Sequence, residues 1–94
     1  MLGVNVTYTM KPGARAAYLA ELAAQGIREA VRREDGCLQY DYFLPVDEAD
    51  RLLLVEKWTS REAQKVHLTQ PHMARAAALK ERFITDTKVE FYEL

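Results

Sequence analysis

RLLLVEKWTSREAQKVHLTQPHMA, residues 51–74, holds a strand, a helix start and a helix break in succession, and its reading decides the fold. RLLLVEKW, residues 51–58, is a short apolar run rich in strand formers and ends on the only tryptophan of the chain. TSRE follows. Thr59 as N-cap with Glu62 three residues on matches a capping box, so a helix opens here and carries Ala63, Val66, His67 and Leu68. Pro71 fits poorly inside a helix and well in the first turn of a new one. The segment therefore predicts a short helix, a break at Thr69–Gln70, and a second helix from Pro71 to about Ile84.

Upstream, Leu2, Val4, Val6, Tyr8 and Met10 alternate with Gly3, Asn5, Thr7 and Thr9, which describes a strand with one apolar and one mixed face. KPG at 11–13 ends it. From Ala14 to about Arg33 the period becomes helical: Leu19, Leu22, Ala23, Ile27, Ala30 and Val31 share a face, with Gly26 a weak point inside. Gly36 suits a stop or a tight turn. CLQYDYFL, residues 37–44, alternates again, and PVDEAD is a turn that joins it to the 51–58 strand as a hairpin. KVEFYEL closes the chain as a fourth strand. The order β-α-β-β-α-β is the ferredoxin-like split arrangement, an α+β fold: one antiparallel sheet with the helices on one face, in a single domain over residues 1–94.

That order raises a physical problem, because the third strand is apolar on both faces. If Leu53 and Val55 point to the helices, Leu52, Leu54 and Trp58 form an apolar patch on the other face. Pairing two sheets face to face would cover it, so a homodimer is expected. A net charge of −1 gives no electrostatic reason to expect nucleic acid or an anionic membrane as partner. Cys37 is the only cysteine, so no intrachain disulfide forms, which fits a reducing compartment. The N-terminus lacks a basic region followed by an apolar run, and no apolar run is long enough to span a bilayer. The expectation is a soluble, cytoplasmic domain.

Both histidines lie in HLTQPH, residues 67–72. Five apart on a continuous helix they would point roughly 140° away from each other. Histidines that share a metal on one helix are normally four apart. Pro71 could bend the chain and bring them together, but no carboxylate is placed by spacing to complete a site, so no metal is expected. His72 shares a helical face with Ala76, Leu79 and Phe83. That favours a structural histidine at a helix start over a substrate contact. His67 ends a short helix beside a break, where a side chain can be aimed into a cavity next to a sheet. An imidazole there titrates near neutrality and moves protons. A satisfied core histidine is the equal alternative.

Trp58 reads either as core or dimer contact, or as a flat wall for an aromatic ligand. Glu56 shares its side of the strand, and a buried carboxylate needs a partner. A cation across the dimer would make it structural; an empty pocket would make it a base. Asn5 and Thr7, on the mixed face of the first strand, are candidate polar groups for the same space. Of Tyr40 and Tyr42, at least one belongs to the core. No glycine-rich phosphate loop, nucleophile elbow or Cys–His pair is present, and no flavin, nicotinamide or haem site is read.

KPG, EDGCLQYDYF, LLLVEKWTSREAQKVHLTQPHMA and the closing strand together resemble the antibiotic biosynthesis monooxygenase domain family, closest to its small single-domain quinol monooxygenases. The resemblance implies a dimeric ferredoxin-like α/β barrel. It also implies oxidation of a quinol or polycyclic phenol by molecular oxygen without metal or flavin. In that chemistry a deprotonated, electron-rich substrate itself passes an electron to oxygen, while the protein supplies an apolar pocket, a proton acceptor and donors for the anion. By position the resemblance assigns proton transfer to His67 and a pocket wall to Trp58. His72 matches the second histidine of the block and Glu56 the acidic residue before the tryptophan; on the monooxygenase reading Asn5 and His72 would orient the substrate. Two features depart from relatives. Leu54 stands where polyketide-tailoring members carry asparagine, and ARAAALKERF lacks the histidine that binds iron in haem-degrading members. The same superfamily offers an alternative, an isomerase of a small phosphorylated carbonyl compound of the autoinducer-2 type, for which Arg28, Arg32, Lys57 and Lys65 are the available cations. A non-catalytic dimeric ligand-binding module is the third reading.

Overall fold

The computed structural model describes residues 1–94. Strand β1 is Leu2–Met10, helices α1 and α2 are Arg15–Ala24 and Ile27–Arg32, and strands β2 and β3 are Cys37–Phe43 and Arg51–Trp58. Helices α3, Arg61–His67, and α4, Pro71–Phe83, are followed without a loop by β4, Ile84–Glu93. The four strands form one antiparallel sheet in the order β2-β3-β1-β4, the expected ferredoxin-like arrangement. No helix is long and apolar enough to cross a membrane.

Pairing with β1 sets the faces of β3. Leu52 opposes Tyr8, Leu54 opposes Val6, Glu56 opposes Val4 and Trp58 opposes Leu2. All eight side chains are buried beneath the helices. The expected orientation of β3 is therefore reversed: Leu53 and Val55 lie on the open face, and the side with Leu52, Leu54 and Trp58 meets the helices. Apolarity alone could not decide this, because LLLV is apolar at both parities. What decides it is that β1 has only one apolar face. Tyr18 and Leu22 from α1, Ile27 and Val31 from α2, and Ala76 and Leu79 from α4 complete the core over that face.

Three element boundaries differ from the sequence reading. The single helix expected over 14–33 is two, because Gly26 takes a left-handed conformation (φ 63°) at the start of α2 and turns the chain. The cap of α3 is Ser60, not Thr59: Ser60 is extended and its Oγ accepts the N–H of Ala63. The last strand starts at Ile84, four residues earlier than read. Pro71 does open α4, and the chain between α3 and α4 breaks where expected.

Candidate active site

Three segments meet at one corner of the helical layer: the turn after α2, the end of α3 and the start of α4. Gly36 brings the first to the second. It has φ 84°, and a Cβ there would meet both Ala63 Cβ and Thr59 Oγ1 at 2.6 Å. Only glycine lets this turn press on α3, and Gly36 O accepts the Thr59 N–H at 2.9 Å to lock the crossing. Glu34, two residues earlier, is thereby held against the end of α3.

The Glu34 carboxylate takes both histidines. His67 Nδ1 lies 3.1 and 2.9 Å from its two oxygens. His72 Nε2 lies 2.6 Å from Oε2. The side chains are 9 % (Glu34), 2 % (His67) and 12 % (His72) exposed, so the group is shielded from solvent. The sequence reading found no carboxylate for these histidines; the fold supplies one from thirty-three residues upstream of His67. It also removes the divergence of the pair, because the break before Pro71 ends one helix and starts another between them.

The His67 ring packs against two aromatic rings. Trp58 packs 4.7 Å away, tilted by 35°, and Tyr40 meets it edge-on at 5.7 Å. With Nδ1 engaged by a carboxylate, the neutral ring carries its hydrogen there and leaves Nε2 as an acceptor. His67 lines a cavity of about 200 Å³ between sheet and helices. Val4, Val6 and Tyr8 of β1 form its floor, and Leu68 and Met73 form the helical wall. Val89 and Phe91 of β4, each about half exposed, stand at its rim.

Five polar side chains line this cavity: His67, Glu56, Lys80, Gln64 and Thr87. Glu56 is 5 % exposed and accepts the Trp58 Nε1–H at 3.0 Å. Burial pushes its carboxyl above the ordinary carboxylate range, opposed by the Trp58 hydrogen bond, His67 and Lys80. Burial pulls the Lys80 ammonium below its usual range, opposed by Glu56. Lys80 also lies 5.5 Å from the centre of the Tyr8 ring. The arrangement is a proton acceptor, a carboxyl and one desolvated cation around a small apolar space.

The expected site residues divide accordingly. His67 and Glu56 line the cavity. Trp58 is fully buried behind them and braces both rather than forming a wall. His72 joins the Glu34 cluster and does not reach the cavity lining. Asn5 and Thr7 are corrected: they oppose Val55 and Leu53 on the open face, so the sheet lies between them and His67. Strand alternation forbids otherwise, since Val4, Val6 and Tyr8 already occupy the cavity side. Asn5 instead accepts a hydrogen bond from the Tyr92 hydroxyl at 3.0 Å. Glu34 and Lys80 were not found from sequence. No local spacing links either of them to the histidines, although the acidic residue just before the Asp35–Gly36 turn was the one available signal.

Comparison with known proteins agrees with the fold. The sequence pattern of the family described as antibiotic biosynthesis monooxygenase matches residues 1–79. The Bacillus subtilis (strain 168) protein named "Putative monooxygenase YcnE" is 33 % identical over 72 residues, 77 % of this chain and 74 % of that protein. Rv0793 from Mycobacterium tuberculosis superposes with a TM-score of 0.85 at 30 % identity, over 99 % of this chain and 93 % of that one. PA3566 from Pseudomonas aeruginosa superposes with a TM-score of 0.85 at 29 % identity, over 99 % and 93 %.

Proposed function

The chain belongs to the antibiotic biosynthesis monooxygenase family, and we propose that it is a cofactor-independent monooxygenase acting on a quinol, with His67 as the base. The observation that carries this reading is the buried Glu34–His67 pair at the lining of a largely apolar cavity, with no protein hydrogen bond to the second ring nitrogen. His67 Nε2 takes the proton of a ring hydroxyl, and Glu34 stabilises the imidazolium that forms. The resulting anion is electron-rich enough to pass an electron to oxygen; the two radicals combine at a ring carbon. Loss of water then leaves one oxygen atom on the substrate. The quinol supplies every electron: quinol and oxygen give a hydroxyquinone and one water.

The cavity size bears on the substrate. At about 200 Å³ it lies below the roughly 300–1,000 Å³ typical of drug-sized sites. That favours a ring system of one or two rings over a larger polycycle. Lys80 is the one cation among the lining residues, and Glu56 stands beside it. A phosphorylated carbonyl substrate would need a stronger cationic cluster than that, so the isomerase alternative is the weaker reading. A purely packing role for the histidines is also the weaker reading, since their bonds go to a carboxylate and not to backbone groups.

The test is oxygen consumption with a panel of one- and two-ring quinols in chelator-treated buffer. Turnover above the uncatalysed rate is expected, falling about 10²- to 10⁴-fold in His67→Ala. A wild-type protein that consumes no oxygen across the panel sinks the proposal.

A further inference from the structure

We propose that Glu34, His67 and His72 form a binding site for one divalent transition-metal ion. His67 Nδ1 and His72 Nε2 converge on the same oxygen, Oε2 of Glu34, at 2.9 and 2.6 Å. One ligand atom from each of the three residues lies within 4.8 Å of the others. Without a metal, two imidazole N–H groups crowd onto one carboxylate oxygen; a metal replaces both hydrogens.

The donor set is selective. Two imidazole nitrogens and one carboxylate oxygen suit zinc, cobalt(II) or iron(II), whereas calcium and magnesium favour oxygen ligands. Bonds of about 2.0–2.2 Å hold tetrahedral ligand atoms about 3.4 Å apart. Glu34 therefore has to withdraw by roughly 0.5 Å from His67 and roughly 0.8 Å from His72, within reach of its own side-chain torsions. A separate space of about 160 Å³, lined by Glu34, Asp35, Val66 and Gln70, adjoins the cluster at Glu34 and shares no lining residue with the cavity of His67. The exposed Asp35 carboxylate there attracts cations, and the space leaves room for water in the open coordination position.

A consequence follows that rests on the function proposed above. A metal on His67 Nδ1 keeps the ring hydrogen on Nε2, where the oxidation needs an acceptor. The ion silences the base.

The experiment titrates the chelator-treated chain with zinc by calorimetry and with cobalt(II) by visible absorption. One ion per chain is expected, bound more than about tenfold more weakly by Glu34→Gln and by His72→Ala. Cys37→Ala, which removes the only thiol, is expected to bind like the wild type. The wild-type titration decides the matter even if a cluster variant fails to fold: no binding at one equivalent overturns the site. So does binding that survives His72→Ala in a folded protein or vanishes in Cys37→Ala. With a quinol that is turned over, zinc is expected to stop oxygen consumption and chelator to restore it; full turnover by the zinc-bound chain overturns the silencing. Absence of turnover in metal-free wild type counts against the monooxygenase reading alone, because the titration is independent of it.

Discussion

Glu56 is the residue that gives up stability for its position. Its carboxyl is pushed up by burial, and the Trp58, His67 and Lys80 contacts only partly oppose this. A carboxyl whose folded value lies above its unfolded one contributes stability below the unfolded value, and that stability is lost as pH rises through the folded one. Glu56→Gln keeps the acceptor for Trp58 Nε1 and removes the ionisation. At neutral pH the variant is expected to melt higher than the wild type. The difference should shrink as pH falls from the raised folded value towards the ordinary carboxylate range. Thermal melts across that window check it; an unchanged difference would mean that Glu56 is not ionising in a desolvated place. Legibility at this scale followed sequence distance. His67, Glu56, Trp58 and His72 sit within one block of seventeen residues and could be weighed together. Glu34 could not, because an imidazole's partner is set by which loop the fold presses onto it, and the Asp35–Gly36 turn beside Glu34 marks a loop without saying where it lands.

Among the elements, the short turn Glu34–Gly36 does more for the site than any helix it joins. Thr59 and Ser60 are both competent N-caps by residue type, which is why the capping box read one position early. The structure separates them by use: the Thr59 N–H goes to Gly36 O, and its hydroxyl faces Gly36, so capping falls to Ser60. The two positions therefore give different phenotypes. Ser60→Ala loses one cap, with an expected cost of about 0.5–2 kcal/mol in stability and no loss of turnover. Gly36→Ala places a Cβ where Ala63 and Thr59 stand and forces a left-handed backbone on alanine, at about 1–3 kcal/mol. It also shifts Glu34 away from His67, so its turnover should drop even where the protein remains folded. Denaturant melts paired with oxygen consumption at low temperature separate the two effects. Equal turnover losses in both variants would show that the turn does not hold Glu34 in place.

Across the molecule, element order and sheet order were legible because strand and helix periods alternate cleanly; the parity of β3 was not. The correction changes the physical basis of the expected dimer. Trp58, Leu52 and Leu54 already have their cover in the helices. The open face offers Leu53 and Val55, half-buried, with Phe43 exposed beside Leu53 in the β2 register. To this is added β4, an edge strand whose ten residues are almost all exposed and which carries Val89 and Phe91. A long exposed edge with apolar side chains invites pairing unless something covers it. Together the apolar row on the open face and the unprotected edge still favour a second copy of the chain as the cover, with a solution mass near twice 10.8 kDa. Leu53→Glu puts a charge into the middle of the row without touching the cavity side of the sheet. Light scattering on a sizing column is expected to report a dimer for the wild type and a shift toward monomer for the variant. A wild-type chain that runs as a monomer at every concentration would rule out the dimer. Retention of the dimer by Leu53→Glu would move the interface from the sheet face to the β4 edge.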